Sequence, residues 1–221
     1  MVWYQRSLKR LFDFVVALSG IVLVAPLFVI ICVGIKLSSQ GSLLFVQNRI
    51  GQGGKPIRVV KFRTMVVGSH TSGSVTKAGD KRITPIGAFL RRYKLDELPQ
   101  LWNVLTGTMS LVGPRPDVAG YADKLSGDDR CILALKPGIT GVATIFFRYE
   151  EEILAAVNDP QQFNDTVLWP LKVKINKTYL DNWHFWNDIG LIAITIMPSL
   201  NSVVQLVPKS PRSPEELHVG V

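Results

Sequence analysis

The sequence predicts an α+β fold, mainly helical, in a protein seated on a membrane. Three observations carry this: a long apolar run near the N-terminus, two β-type segments around a glycine cluster, and short helical patterns further on. At 221 residues the chain suffices for one domain with a real core, without a second full domain. The expected organisation is an N-terminal segment with an apolar helix over 1–37, a soluble domain over 38–200, and a C-terminal tail over 201–221. The formal net charge of +8 and a pI near 9.6 call for an anionic partner. A mean hydropathy of +0.22 is high for so basic a chain, so apolar and basic residues must lie in separate stretches.

Phe14 to Ile35 is almost wholly apolar, with Lys9 and Arg10 before it and Lys36 after it. It is about as long as the ~20 residues that a spanning helix needs. Neither the short apolar core nor the small-residue cleavage site of a secretory signal is clear, so the segment is expected to be retained. Pro26 removes one N–H and crowds the carbonyl of Val22, which predicts a kink. Cationic flanks at both ends suit two cytoplasmic ends, but the residues alone leave spanning and re-entrant topologies open. A second apolar stretch, Ile189 to Met197, is too short to span and reads as a buried or interfacial helix. After Pro208 the composition is that of a disordered tail.

Residues 42–50 and 55–65 are rich in β-formers and flank Gly51-Gln52-Gly53-Gly54, which predicts a hairpin. Residues 66–81 read as a long loop rich in Gly, Ser and Thr. Thr84-Pro85 then opens a short helix, with Thr84 as its cap, running to about Lys94. A second helix places Leu98, Leu101, Trp102 and Leu105 on one face and stops at Gly107. Pro99 belongs to its first turn, so Asp96 and Glu97 stand at or just before its N-terminus. Acids there are favoured by the helix dipole and commonly serve as caps. Cys32 and Cys131 have no metal-ligand spacing and read as small apolar fillers outside any disulfide framework.

From Arg49 to Lys94 there are eleven Lys or Arg residues and one acid, Asp80. Asp96 and Glu97 are the carboxylates that border this basic block on its C-terminal side. Acidic lipid head groups and nucleotide phosphates are the two anions such a block suits. A nucleic-acid role is set aside, because no reader motif and no aromatic stacking pattern occurs. The glycine cluster lacks the spacing and lysine of a P-loop. Carboxylates beside clustered arginines suit phosphoryl chemistry. A carboxylate nucleophile splits one hard displacement into two, a magnesium ion offsets anion repulsion, and arginines stabilise the charge on the transferring group.

Arg91-Arg92-Tyr93-Lys94-Leu95-Asp96-Glu97-Leu98-Pro99-Gln100-Leu101, followed by Met109-Ser110-Leu111-Val112-Gly113-Pro114-Arg115-Pro116, closely resembles the bacterial sugar transferases. These are the monotopic phosphoglycosyl transferases that prime polyprenyl-phosphate carriers. Further matches keep the family's order: Lys9 to Asp13, Lys61 to Met65, Asp80 to Thr84, Lys136 to Gly141, and Asn182-Trp183 with Asp188. The resemblance runs over roughly residues 7 to 195, and in the absence of a multi-helix N-terminal extension it is to the minimal form.

The resemblance implies a UDP-sugar and undecaprenyl phosphate as substrates, Mg²⁺ as cofactor, UMP as product, and membrane lipids as surroundings. Asp96 is the implied nucleophile. Glu97 is its partner as base or metal ligand, so both acids stand as candidate metal ligands. Arg91 and Arg115 match arginines near the phosphates. Lys61, Arg63 and Arg82 divide between substrate contact and structural pairing, while Arg148 and Asp188 read as structural. The resemblance also implies a re-entrant helix broken at Ala25-Pro26, where the family has Ser-Pro, and a catalytic domain on the cytoplasmic face of the bacterial inner membrane. Ala143 to Arg148 departs from the family's usual Gln-Val-Asn-Gly-Arg run, so substrate recognition is expected to differ there. The identity of the sugar and the lipid chain length are not readable, and a homo-oligomer stays open. Two other readings use the same features: a non-catalytic basic scaffold at the membrane surface, and a Mg²⁺-dependent diphosphate hydrolase.

Overall fold

The computed structural model describes residues 3–68 and 79–218. Residues 69–78, most of the loop expected over 66–81, lie outside the described residues, as do 219–221. The fold is mainly helical, as expected, with two small sheets where a single hairpin was expected.

Helix α1, Trp3–Ser38, is the apolar N-terminal segment. Asp13, Ala17, Ile31 and Ile35 fall on one stripe at helical spacing and are buried against the rest of the protein. Val22, Leu23, Val29 and Ile30 on other faces are exposed. A soluble core helix would be covered on all apolar faces, yet only 11% of the most apolar window of this helix is buried. The helix continues through Ala25 and Pro26 without interruption, so the break expected at that pair is not a gap in helical structure. A proline costs one backbone bond and crowds one turn, which a long helix absorbs while its other bonds persist.

Strands β1, Leu44–Ile50, and β2, Pro56–Phe62, form the expected antiparallel hairpin, paired from Leu44↔Phe62 to Ile50↔Pro56. Its turn needs glycine, since Gly53 and Gly54 have φ of 69° and 80°. Thr84 caps α2, Pro85–Arg92, by accepting a bond from Gly87 N at 3.0 Å. That helix ends two residues earlier than the sequence suggests. A single 3₁₀ turn, Leu95–Glu97, separates it from α3, Gln100–Leu105. Leu98, just before α3, and Leu101 and Leu105 on it are half-buried as expected, but Trp102 is 59% exposed. A six-residue helix packed on α1 along one edge has no neighbour left for a fourth large side chain.

Strands β3, Ser110–Val112, and β4, Gly138–Thr140, pair in parallel and had no counterpart in the sequence reading. Their glycines are demanded by backbone contact. A Cβ on Gly113 would stand 2.3 Å from Lys136 O, and one on Gly138 would stand 2.2 Å from Gly113 N. Two of the motifs are thus the two halves of one close backbone crossing, and the crossing sets where Arg115 emerges.

The remaining chain is helical: α4 (Val142–Phe146), α5 (Glu150–Ala155), α6 (Pro160–Phe163), α7 (Trp169–Asp181), α8 (Phe185–Ile196) and α9 (Asn201–Val204). A π-helical turn, Asn164–Leu168, joins α6 to α7. The main core gathers Val104, Met109, Phe146, Ile153, Leu168, Leu191 and Ile194. Each such side chain contributes about 1.5–3 kcal/mol by leaving water. Helix α8 carries the second apolar stretch, with Leu191 and Ile194 buried and Ile196 79% exposed. The tail expected to be disordered after Pro208 is, through His218, laid on the domain. Ser210 Oγ donates to Ile145 O at 2.9 Å, and Leu217 joins the core at 4% exposure. Proline-rich composition hid one buried leucine and its 3₁₀ turn, Glu215–His218.

Gly113→Ala is expected to cost at least the ~1–3 kcal/mol of an overpacked core site, read as a lower midpoint in chemical denaturation. An unchanged midpoint would show that the β3–β4 crossing relaxes freely.

Candidate active site

Lys94 takes a left-handed conformation (φ 56°), uncommon for a residue with a side chain, and thereby turns the chain out of α2. The 3₁₀ turn that follows aims Asp96 and Glu97 inward, at 7% and 6% exposure. Neither caps α3, whose N-cap is Pro99 with no side-chain cap bond. The ordinary explanation of the two acids therefore fails.

Glu97 is enclosed by cations from two other elements. Lys61 Nζ, on β2, donates to its Oε1 at 2.9 Å. Arg115, just after β3, donates to both of its oxygens, to Oε2 at 3.3 Å. Burial alone pushes the Glu97 carboxyl up, but the Arg115 guanidinium and Lys61 ammonium outweigh it and hold it well below the usual carboxylate range. Asp96 has the opposite environment. Its Oδ1 is buried without a hydrogen-bond partner. Burial, and then the charge of Glu97, raise its pKa, although Lys61, Arg91 and Lys94 pull the other way. One acid is satisfied and fixed in charge; its neighbour is bare.

Beside them opens a cleft of about 200 Å³. Arg49, Arg91, Lys94, Arg115, Arg148 and Lys172 line it with Asp117, Tyr121, Glu150, Glu151, Asn164 and Asn176, and Val118, Ala143, Thr144, Phe147 and Leu154 complete its wall. Asp96 adjoins this cleft through Lys94 and does not line it. Arg91 is ion-paired with Glu151 of α5. Arg148 lines the cleft without a side-chain bond to any described residue, which departs from its structural reading.

The other candidates are not brought here. Arg63 donates to Ser39 O, Ser39 Oγ and Gln40 O, each at 2.8 Å, and so closes the C-terminal end of α1. Arg82 is forked onto Asp80, with Nη2 to Oδ2 at 2.6 Å. Asp188 is structural, as read from the sequence. It is 1% exposed and receives Lys9 of α1, Tyr179 OH at 2.6 Å and Trp183 Nε1 at 3.2 Å.

Sequence reasoning missed Arg49, Asp117, Lys172 and Asn176. Arg49 is held by Gln47 at 2.7 and 3.0 Å, and burial, then the charge of Arg115, lower its pKa to about 10. Only its place at the head of the basic block, and the place of Asp117 two residues beyond Arg115, hinted at either.

Among the described residues no three His, Cys, Asp or Glu side chains converge as a metal cage. The bare Oδ1 of Asp96 suits one position of a hard divalent cation, whose other ligands are commonly water and substrate phosphate. Oε1 of Glu97 accepts from both Lys61 and Arg115 and Oε2 from Arg115 at 3.3 Å, so a cation at Glu97 would share oxygens that already face two positive charges.

Residues 4–202 match the family model described as bacterial sugar transferase, and the chain belongs to that family. It is 39% identical over 198 residues to the UDP-glucose:undecaprenyl-phosphate glucose-1-phosphate transferase of Escherichia coli K12, covering 87% of this chain and 40% of that protein. It is 37% identical over 208 residues to the UDP-galactose-lipid carrier transferase of Erwinia amylovora, again over 87% of this chain and 40% of the relative. A third relative, the UDP-N-acetylgalactosamine-undecaprenyl-phosphate N-acetylgalactosaminephosphotransferase of Aeromonas hydrophila, is 34% identical over 86% of this chain and 43% of its own length. The chain thus spans about two-fifths of the length of these relatives.

The two adjacent acids should respond oppositely to neutralisation. The folded pKa of Asp96 is raised, so its charge costs stability as pH rises through that value, and nothing is lost below about pH 3.9, the ordinary aspartate value. Asp96→Asn should therefore raise the melting temperature at pH 7.5, with the gain vanishing near pH 4. Glu97→Gln should lower stability on the order of 3 kcal/mol at neutral pH, by leaving Lys61 and Arg115 without their counter-charge. Its folded pKa is depressed, so that contribution is present above the ordinary glutamate value and fades as pH falls toward the folded one. Melting curves of the two variants across pH 4–8 check both signs.

Proposed function

We propose that the protein transfers a sugar-1-phosphate from a UDP-sugar to undecaprenyl phosphate through a covalent phosphosugar–Asp96 intermediate. The observation that carries this is the bare, buried Oδ1 of Asp96 beside a cationic cleft, next to a glutamate whose own charge is fully matched. The printed activities of the relatives from E. coli, E. amylovora and A. hydrophila agree in class.

In the first step the Asp96 carboxylate bonds to the sugar-bearing phosphorus, and the bond from that phosphorus to the bridging oxygen breaks. UMP departs with the electron pair. In the second, a phosphate oxygen of the lipid bonds to the same phosphorus and the Asp96–phosphorus bond breaks, restoring the carboxylate. An unpaired carboxylate is a stronger nucleophile than one shared with a donor, so leaving Asp96 bare serves the first step. Arg148, unbonded to any described side chain, offers forked donors to phosphate oxygens as charge develops, and Arg91 and Arg115 add the N–H groups that Glu151 and Glu97 leave free. Glu97 holds Lys61 and Arg115 in place and keeps its proton off at neutral pH. Mg²⁺, which Asp96 would help to hold, would supply neutralisation of phosphate charge.

We further place α1 in the cytoplasmic face of the bacterial inner membrane as a re-entrant helix, with lipids around its exposed apolar faces. Supporting this, both halves of α1 are tied to the same domain, by Lys9, Arg10 and Asp13 at one end and by Ile31, Ile35 and the Arg63 contacts at the other.

Asp96→Asn should lower UMP release from any UDP-sugar the wild type uses by on the order of a thousandfold or more. The wild type quenched with UDP-sugar alone should show a phosphohexose mass on the peptide containing Asp96. Turnover by Asp96→Asn at the wild-type rate would remove the assigned nucleophile. For topology, Ser7→Cys and Leu37→Cys, in a background lacking Cys32 and Cys131, should both react with an impermeant thiol reagent from the same side of sealed vesicles. Opposite sidedness would mean a spanning helix.

A further inference from the structure

At the inner end of the cleft, Arg115, Asp117 and Asn176 are shared with an adjoining apolar recess of about 20 Å³, too small for more than a water. Asp117 is half-buried, and its carboxylate receives no side-chain hydrogen bond from any described residue. The cations nearest it are committed elsewhere. Lys172 is paired with Glu150 at 2.8 Å, Arg49 is held by Gln47 and Pro116 O, and Arg115 belongs to Glu97. Asn176, on α7, is 6% exposed and likewise makes no side-chain bond to a described residue. An acceptor and an amide, neither bonded to a described side chain, thus line the same cleft, one otherwise suited to phosphate.

Such an acid works against anion binding, because its charge repels phosphate. What a bare carboxylate beside an amide does bind well is a pair of hydroxyl groups, each donating to one carboxylate oxygen. We propose that Asp117, with Asn176, is a specificity-determining site that accepts hydrogen bonds from hydroxyls of the nucleotide sugar. This rests on the nucleotide-sugar reading above. Two parts of such a substrate carry hydroxyl pairs, the ribose and the hexose, and the same chemistry serves either.

The test compares wild type, Asp117→Asn and Asp117→Ala, using the full chain with undecaprenyl phosphate. The KM for each accepted UDP-sugar should rise about tenfold or more in Asp117→Ala, with a smaller change in kcat. Electrostatics alone would make the opposite change, tightening every phosphate ligand, as binding of inorganic pyrophosphate should report in the same variants. If the ribose is read, UMP binding weakens to the same extent while 2′,3′-dideoxy-UMP binding does not. If the hexose is read, UMP binding holds while the UDP-sugar KM rises. An unchanged or lowered KM for UDP-sugar overturns the proposal, and so does equal weakening of UMP and dideoxy-UMP. Should Asp117→Ala fail to fold, the nearly isosteric Asp117→Asn carries the comparison. A wild type that releases no UMP from any UDP-sugar refutes the transferase reading instead. Nucleotide binding by that wild type, with and without Asp117, still decides whether this subsite reads hydroxyls.

Discussion

Glu97 carries a negative charge into the interior, and the elements around the candidate site are arranged to satisfy it. Its two cations arrive from separate places: Lys61 from the edge of a hairpin, Arg115 from the end of a three-residue strand. An isolated carboxylate at 6% exposure would take up a proton rather than bear its desolvation. With two cations in contact it stays ionised, and the three elements that supply the charges are held in register with one another. Asp96 inherits its position from this arrangement. It shares the 3₁₀ turn with Glu97, so fixing one fixes the other, yet it takes none of the donors. The cost of its bare oxygen is borne by its neighbour's contacts and by the core.

The same logic explains motifs that have no part in chemistry. Lys9, Arg10 and Asp13 stand at the start of an apolar helix where charges are poorly tolerated, and each finds a partner on the domain. Lys9 meets Asp188, Arg10 donates to the carbonyls of Val104 and Leu105 at the end of α3, and Asp13 accepts from Ser110 Oγ and Leu111 N. Arg63 does for the C-terminal end of α1 what Arg10 does for α3, supplying donors to carbonyls that a helix end leaves unpaired. Charged residues that a sequence reader assigns to substrate are here used to dock a long helix whose other faces remain apolar and open.

Local features were legible in the sequence and non-local ones were not. The hairpin announced itself through β-formers around glycines, and Thr84-Pro85 through cap and first-turn chemistry, because each signal lies within a few residues of its consequence. Asp96 and Glu97 stood out as charge exceptions at the end of a basic block. The β3–β4 crossing was invisible, since two three-residue strands separated by 25 residues of irregular chain carry no periodicity. Without that crossing Gly113 and Gly138 look like turn glycines. Arg63 takes the structural pairing that was one of its two expectations, while Arg148, read as structural, lines the cleft, because what an arginine pairs with depends on which chain ends lie near it. The proline-rich tail was misread because one leucine, Leu217, decides its placement.

The division between matched and unmatched charge also orders the cleft. Arg91 is balanced by Glu151 and Lys172 by Glu150, so α5 supplies acids that keep these cations extended and apart rather than collapsed on Asp96 or Asp117. Were either pair absent, the freed cation would gain by moving onto the nearest bare carboxylate, Asp96 or Asp117. The acids of α5 are therefore more than a surface counterweight to a basic chain. They keep the site's unpaired oxygens unpaired, which a fold with net charge +8 would otherwise not sustain.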